Sequence, residues 1–252
     1  MKVTAVYFSP TDNTRRCVEA MAHALSDDAR IVNVTTYGSE PRIAFTPDEW
    51  LIVGMPVYGG RIPAVARPRI AKLTGQNTPC IIVATYGNRH YDDALLEMAD
   101  MLRGQGFRVM GAAAVVGRHT FGEIQVTRPD ADDLAACAGF AVRTAALPDD
   151  APEADVPGNR PYREGGNGGR FRPYRGDGCL GCDRCRLECP VNAIADNLRD
   201  VRDTCISCFR CIRHCPLGAK QMIEPDYFTF AEAFTKKLSE RRENEWFGAA
   251  AL

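Results

Sequence analysis

Eight of the eleven cysteines lie close together in the C-terminal third of the chain, between Cys179 and Cys215. They form two unbroken copies of the pattern C-x2-C-x2-C-x3-C-P, each closed by a proline. Three thiolates spaced by two residues can surround one corner of an inorganic cluster, while the proline turns the fourth cysteine away. An odd number of cysteines, grouped this densely, argues against a disulfide scaffold and favours metal binding in a reducing compartment.

Structural zinc is the competing interpretation, because a zinc site also takes four thiolates. Zinc ribbons, however, separate their two CxxC pairs by a long loop. Here four cysteines fall within the eleven residues from Cys179 to Cys189, and the second copy repeats that spacing. The spacing therefore favours iron–sulfur clusters over zinc.

A second group of polar residues follows a short β-branched run at the N-terminus. The loop Ser9-Pro10-Thr11-Asp12-Asn13-Thr14 connects a predicted strand to a predicted helix. At this place in a parallel sheet, loop amides and the helix N-terminus form an anion site, to which the hydroxyls of Ser9, Thr11 and Thr14 can contribute. The same residue types also serve as ordinary helix N-caps, so the loop alone does not decide between the two roles.

Two more loops, residues 54–63 and 85–93, follow the third and fourth predicted strands. They are rich in glycine and aromatic residues, and each residue taken singly is explained as part of a turn. Because carboxyl ends of parallel strands meet at one sheet edge, the loops together predict a ligand site. The candidate residues are Pro56, Val57, Tyr58, Gly59, Gly60, Thr85, Tyr86, Gly87, Asn88 and Tyr91, with His119 after the fifth strand at the same edge.

The first half of the chain alternates strand-like and helix-like segments, which indicates a parallel sheet covered by helices. Strands are predicted at residues 2–8, 30–35, 49–54, 78–85 and 108–116. Helices are predicted at residues 13–25, 64–73, 91–104 and 130–146, and the second crossover is too short for more than a loop or a single turn. The fold class is therefore α/β, with a doubly wound, five-stranded parallel sheet. No G-x-G-x-x-G sequence follows any of these strands.

Four segments are predicted from the changes in composition. Residues 1–147 form the α/β domain, and residues 148–173 form a Pro/Gly/Arg-rich linker or an extended arm lying across one of the domains. Residues 174–223 form a small α+β domain around the cysteines. Residues 224–252 form a helical tail, with helical spacing of apolar residues from position 225 to 246.

The bulk properties exclude several partners. A net charge of −1 and a pI near 6.4 give no electrostatic reason to expect nucleic acid or an anionic membrane. The first residues contain no signal-peptide pattern, and no apolar run reaches the ~18 residues that a membrane span needs. The sequence predicts a cytoplasmic protein.

The two cysteine runs resemble those of bacterial 2[4Fe–4S] ferredoxins, and the Ser9–Thr14 loop resembles the phosphate loop of flavodoxins, [ST]-x-T-G-N-T. Together with the stretches at residues 56–63 and 86–93, the chain resembles the flavodoxin-ferredoxin fusion family of anaerobic bacteria and archaea. Asp12 stands where the flavodoxin pattern has glycine. A carboxylate near a phosphate is unfavourable unless it points outward.

The resemblance implies FMN and two [4Fe–4S] clusters with crossed ligation. Tyr58 and Tyr86 would contact the flavin ring, and Gly59, Gly60, Gly87 and Asn88 would allow close approach of the backbone to it. One cluster would be held by Cys179, Cys182, Cys185 and Cys215. The other would be held by Cys205, Cys208, Cys211 and Cys189.

These cofactors predict an electron-transfer protein with redox proteins as donor and acceptor. Two alternatives stay open: a flavin-dependent reductase of a small, quinone-like acceptor fed by its own clusters, and a redox sensor. The family also leaves room for a homodimer. The sequence does not choose between transfer within one chain and transfer between chains.

Overall fold

The computed structural model describes residues 1–250. Its elements are, in chain order, β1 (Lys2–Tyr7), α1 (Asn13–Leu25), β2 (Arg30–Asn33), β3 (Ile43–Ala44), β4 (Glu49–Pro56), α2 (Arg67–Ile70), β5 (Leu73–Thr74), β6 (Thr78–Tyr86), α3 (Ala94–Gly104), β7 (Phe107–Val116), α4 (Ala131–Ala145), β8 (Tyr174–Arg175), α5 (Arg184–Leu187), α6 (Arg210–Arg213), β9 (Lys220–Gln221), α7 (Pro225–Lys237) and β10 (Glu245–Phe247).

Six strands form one sheet in the order β10-β7-β6-β4-β1-β2. The pairs β2–β1, β1–β4, β4–β6 and β6–β7 are parallel, and only β10 runs antiparallel, against β7. Counted among the parallel strands alone, the order is 2-1-3-4-5, which is the flavodoxin-like order of doubly wound sheets. The predicted α/β class and its parallel sheet are therefore confirmed, and this part of the chain has a flavodoxin-like fold.

The sheet is buried on both faces, as its nearly continuous apolar strands require. One face packs against α1 and α4 through residues that include Val18, Met21 and Phe140. The other face packs against α3 and the segment around α2 through residues that include Leu95 and Ile70. This packing fixes the ends of β1, β4, β6 and β7, where the candidate site residues follow.

Two of the connections between parallel strands contain no full-length helix. The connection from β2 to β4 contains the short β3 and no helix, as its length predicts. The helix predicted at residues 64–73 is reduced to the single turn of α2. Proline occurs at both Pro63 and Pro68, and a proline lacks the N–H that a longer helix would need.

The C-terminal tail differs from its prediction. α7 ends at Lys237, and β10 then adds a sixth strand to the sheet, where the helical pattern predicted only helix. Trp246 lies on the sheet with its ring 5.0 Å from that of Phe140, and Phe247 lies 6.3 Å from Tyr91. Pairing with β7 also covers an edge that would otherwise be unpaired. The five predicted strands thus become six.

The segment at residues 148–173 runs along the α/β domain without regular secondary structure. Ala154 is buried, and its N–H donates to Val109 O at 2.7 Å. Further along, the N–H of Gly166 donates to Tyr58 O at 2.7 Å. Arg160 forms an ion pair with Asp100 at 2.6 Å. These contacts match the extended-arm alternative for this segment.

Residues 174–223 contain two one-turn helices, α5 and α6, one in each cysteine run, and a ladder of β8 with β9. This cysteine region lies against the α/β domain. Arg69, which is buried, donates to Val34 O and Thr35 O at 2.7 and 2.6 Å and also to the carbonyl of Pro190. No helix within residues 1–250 is both long and apolar enough to cross a bilayer.

Candidate cofactor sites

A cleft of about 240 Å³ opens at the carboxyl ends of β1, β4, β6 and β7. Strand order reverses between β1 and β4, and doubly wound folds bind ligands beside such a reversal. We call this cavity the cofactor cleft. It is lined by twelve of the predicted flavin-site residues: Ser9, Thr11, Asn13, Thr14, Pro56, Val57, Tyr58, Gly59, Thr85, Tyr86, Gly87 and His119.

The loop from β1 to α1 is held by hydrogen bonds that leave the end of the helix open. The N–H of Ser9 donates to Thr35 Oγ1 at 2.8 Å, and the N–H of Arg15 donates to Ser9 Oγ at 3.0 Å. The hydroxyls of Thr14 and Thr85 lie 2.5 Å apart. α1 has no acidic residue in its first turn, and the side chain of its N-cap residue Asp12 makes no capping hydrogen bond. Ser9 therefore satisfies one amide of the first turn, and a helix N-terminus without a carboxylate cap suits a phosphate group.

Asp12 does not line the cofactor cleft. Its backbone is left-handed, with φ 64°, a conformation that aspartate tolerates, so it takes the place of glycine without losing the turn. Its carboxylate is directed at the cysteine region, where Oδ2 lies 3.0 Å from His214 Nε2. The Nδ1 of His214 lies 2.9 Å from Glu188 Oε2. The negative charge of Asp12 is therefore held by a partner outside the cleft.

The loops after β4 and β6 supply the aromatic walls of the cleft. Tyr58 and Tyr86 both line it. Gly87 allows a close approach, because a Cβ at this position would lie 2.1 Å from Cδ2 of His119. Burial, followed by the nearby Cys208, raises the pKa of Tyr58 well above its usual range. Tyr58 therefore presents a neutral phenol at this wall.

His119 is held as a neutral ring. Its Nδ1 lies 2.8 Å from the N–H of Phe121 and 3.1 Å from Phe121 O. We assign Nδ1 as the acceptor in the shorter contact, which places the remaining ring proton on Nε2. Burial lowers the pKa of His119 to about 4. Within residues 1–250, Nε2 has no hydrogen-bond partner. His119 thus offers one free N–H donor at the wall of the cleft.

Three other predicted residues lie outside the cleft because they have structural partners. Asn88 donates to Leu238 O at 2.9 Å and to Glu240 O at 2.6 Å, which fixes the chain after α7. The hydroxyl of Tyr91 donates to Glu245 at 2.8 Å and so fixes β10. The third residue, Gly60, lies against the carboxylate of Asp92.

Nine further lining residues are not among the candidate residues named from the sequence, although Pro10 lies within the predicted loop after β1. They come from the end of β1, from the loop after β7, from the Gly-rich segment and from the second cysteine run: Pro10, Arg118, Thr120, Phe121, Asn167, Gly168, Gly169, Ile206 and Ser207. A Cβ on Gly168 would lie 2.1 Å from the Cα of Ile206, so glycine is needed where the two segments touch. The Gly-rich run is the one signal in the sequence that could have indicated this contact.

The eight clustered cysteines divide into two groups of four, each around its own small cavity. The outer cysteine cavity is lined by Cys179, Cys182, Cys185 and Cys215. The inner cysteine cavity is lined by Cys189, Cys205, Cys208 and Cys211. In both groups the fourth cysteine of one run joins the first three of the other. This is the division that the ferredoxin resemblance implies.

Backbone amides point at the sulfur atoms in the same way in both groups. The N–H of Ala193 donates to Cys189 Sγ at 3.2 Å, and the N–H of Ala219 donates to Cys215 Sγ at 3.2 Å. Each donor lies four residues after the fourth cysteine of its run. Hydrogen bonds of this kind stabilise thiolate charge and tune the potentials of iron–sulfur clusters.

All eleven cysteines are free thiols. Across residues 1–250, no group of three or more His, Cys, Asp or Glu side chains converges to hold a single metal ion. A zinc site would need four ligands at about 2.0–2.3 Å from one point. In a cubane cluster each thiolate binds a different iron, so the four sulfur atoms surround a cavity. Each group of four thiols lines one cavity, so the residues present fit the ligand set of such a cluster.

The cofactor cleft and the inner cysteine cavity share a wall. Ile206 lines both of them and is itself almost fully buried. Arg210 secures this junction, because its Nη1 donates to Pro10 O at 3.0 Å while its Nη2 pairs with Glu188 at 2.9 Å. The two cavities are therefore adjacent, with Ile206 between them.

The chain matches no protein-family model and no curated protein. Among solved structures, it is similar to a flavodoxin from the domain Archaea, with 17% identity over 57% of this chain and 96% of that one and a TM-score of 0.42. A Bacillus cereus flavodoxin 2 is 14% identical over 57% and 98% of the two chains, with a TM-score of 0.45. For a Streptococcus pneumoniae flavodoxin the identity is 19%, over 58% and 99%, with a TM-score of 0.39.

Proposed function

We propose that this chain is an electron-transfer protein that binds FMN in the cofactor cleft and one [4Fe–4S] cluster in each cysteine cavity. When bound, FMN exchanges electrons in pairs or singly, whereas an iron–sulfur cluster exchanges one at a time. The observation that carries the proposal is the position of Ile206, which lines both the cofactor cleft and the inner cysteine cavity. A shared wall supports transfer within one chain.

The residues that line the cleft suit the two parts of FMN, its phosphate and its flat ring. The open N-terminus of α1 and the hydroxyl of Thr11 suit a phosphate, and the contact of Asp12 Oδ2 with His214 Nε2 directs the nearest carboxylate away from the cleft. The aromatic walls of Tyr58 and Tyr86 suit a flat ring, and the free N–H of His119 can donate to an acceptor on it.

The outer cysteine cavity provides the contact with other redox proteins in this proposal. Cys182 is exposed, and Leu180 beside it is 82% exposed. Leu187 and Leu217 are exposed as well. Apolar side chains around an accessible ligand form a surface on which a donor or acceptor protein can dock. In this proposal electrons pass between the outer cavity, where a partner docks, the inner cavity and the cleft.

The test is anaerobic purification with assays of iron, acid-labile sulfide and released flavin. We expect about eight irons and about eight sulfides per chain, from two four-iron clusters, with about one FMN. Cys211→Ser should remove about half of the iron and sulfide, because Cys211 lines only the inner cavity. Cys80→Ser is the matched control, since Cys80 is a buried thiol in β6 and should leave the iron content unchanged.

Two results would count against the proposal. Zinc in place of iron in the purified protein would contradict the cluster assignment. Full clusters with no FMN, even after reconstitution with excess flavin, would contradict the assignment of the cleft. The first 147 residues would then be a docking or sensing domain.

A further inference from the structure

A second pocket of about 240 Å³, which we call the side pocket, opens beside the cofactor cleft. It shares six of its eleven lining residues with the cleft, and the shared wall consists of Val57, Gly59, Tyr86, Gly87, His119 and Phe121. It adds Arg89 from the loop after β6, and Phe230 and Phe234 from α7. The proposed function leaves this pocket without a role, because the cleft and the cysteine cavities already account for all three cofactors.

The walls of the side pocket are aromatic. The rings of Phe230 and Phe234 are stacked, with centroids 5.1 Å apart and planes 24° apart. Phe234 meets His119 edge to face at 4.9 Å. Offset and edge-on contacts of this kind favour a flat aromatic guest over an aliphatic one of the same size.

The rim of the side pocket carries the guanidinium group of Arg89, whose charge is only partly balanced. The carboxylate of Asp92 pairs with two guanidinium groups, those of Arg89 and, at 2.9 Å, Arg163. The next carboxylate along the chain, Asp93, accepts hydrogen bonds from the backbone N–H groups of Asn159 and Arg163 and pairs with neither guanidinium group. Arg89 therefore shares its counterion, and because it lines the pocket it can pair with an anionic guest.

We propose that the side pocket binds a small planar aromatic anion, with the ring against Phe234 and the anionic group on Arg89. The inference deepens the proposed function, on which it rests for the flavin in the adjoining cleft, by naming the class of its small-molecule ligand. His119, at the boundary of the two cavities, supplies a neutral N–H donor that does not add to the charge.

The probe is 4-nitrobenzoate, titrated into the oxidised, cofactor-loaded protein by isothermal calorimetry. We expect saturable binding, which Arg89→Gln should weaken about tenfold, corresponding to about 1.4 kcal/mol. Phe234→Leu, which keeps an apolar side chain of similar volume, should weaken it several-fold. Lys236→Gln is the control, because Lys236 is exposed on α7 and pairs only with Glu232 within residues 1–250.

Two companion probes separate the contributions of charge and shape. Nitrobenzene should bind wild type and Arg89→Gln equally, because it has no charge. Cyclohexanecarboxylate should bind far more weakly than 4-nitrobenzoate, because it is not flat. Equal affinity of 4-nitrobenzoate for wild type, Arg89→Gln and Phe234→Leu would overturn the inference, as would tight binding of cyclohexanecarboxylate.

Flavin and iron are assayed on the same samples, so that the two proposals can fail separately. A protein that carries FMN and both clusters but binds no 4-nitrobenzoate at millimolar concentration would overturn the side-pocket inference alone. Saturable, Arg89-dependent binding in a protein that takes up no FMN would support the pocket and overturn the proposed function.

Discussion

The inner and outer cysteine cavities are built from the same sequence pattern but lie in opposite surroundings. The residue after the second cysteine is left-handed in both runs, with φ 63° at Asp183 and 56° at Phe209. Yet Cys182 is exposed, whereas Cys208 is only 8% exposed and packs in the apolar core of the α/β domain. The pattern sets the local backbone, and the residues between the cysteines decide which run faces the α/β domain.

The paired positions Asp183 and Phe209 show how this choice is made. Phe209 is buried in an aromatic group, with its ring 5.2 Å from Phe121 and 5.6 Å from Tyr227. Asp183 instead forms an ion pair with Arg186 at the surface, at 2.8 Å. An apolar ring at one position and a carboxylate at the other therefore orient the two runs.

The largest expected effect comes from removing these two side chains. Phe209→Ala should lower the free energy of unfolding by about 3–5 kcal/mol, because it leaves a cavity among packed rings. Asp183→Ala should lower it by about 1 kcal/mol or less, since it removes only a surface ion pair. Both positions have positive φ, which aspartate tolerates better than phenylalanine does, so the backbone cost of alanine falls on Asp183→Ala and works against the expected difference.

Urea unfolding followed by tryptophan fluorescence measures both variants. The difference between them is the informative quantity, because cofactor loss affects both. Similar losses of stability for Phe209→Ala and Asp183→Ala would show that packing on the α/β domain does not distinguish the runs. That result would remove the contrast between the inner and outer cavities.

The second prediction concerns pH and the same aromatic group, which reaches the cleft through Phe121 and His119 at 5.6 Å. Burial, with a smaller contribution from Arg89, lowers the pKa of His119 from 6.5 to about 4. At pH values between 4 and 6.5, His119 is protonated in the unfolded chain and neutral in the folded protein. The contribution of the neutral His119 ring to the free energy of unfolding is therefore complete above pH 6.5 and is lost as the pH falls from 6.5 to 4. It amounts to on the order of 2 kcal/mol.

Comparison of wild type with His119→Gln between pH 7.5 and 4.5 isolates this contribution from that of the carboxylates. The variant should lose less stability on acidification than wild type does. His23→Gln is the control, because His23 is exposed on α1. Parallel stability curves for wild type and His119→Gln would mean that the ring is protonated as freely in the folded protein as in the unfolded chain.

Much of the fold could be predicted from local pattern. The apolar runs of β4 and β6 and the polar loops after them are local features, so the parallel sheet and the convergence of those loops follow from the sequence. The location of β10 and the place of Ile206 in the cleft wall depend instead on packing between distant segments. The charged residues at positions 236–243 have helical spacing, so the sequence predicts a helix there and gives no signal for β10 directly after it.

The third prediction compares how one buried cation acts on the two cysteine cavities. Lys220 is 3% exposed, lines the outer cavity, and donates to Leu198 O at 2.7 Å. A positive charge inside the protein favours the more negative, reduced form of a nearby cluster. Under the proposed function, Lys220→Met should lower the reduction potential of the outer cluster by on the order of 50 mV and that of the inner cluster by less.

A redox titration monitored by electron paramagnetic resonance distinguishes the two clusters and measures both potentials. Lys236→Met, on the exposed face of α7, should leave both unchanged. An unchanged or raised outer potential in Lys220→Met would contradict the role given to this charge.

The smallest expected effect tests the residue that departs most clearly from the flavodoxin pattern. If the carboxylate of Asp12 faced the cleft, Asp12→Gly would tighten FMN binding by removing repulsion from the phosphate. Because the carboxylate is paired with His214, we expect Asp12→Gly to change the FMN dissociation constant by less than about threefold, well under 1 kcal/mol. Thr14→Ala, which alters a hydroxyl lining the cleft, should weaken binding more. Fluorescence titration of flavin with the three proteins measures this, and tighter binding by Asp12→Gly would show that Asp12 acts on the cleft after all.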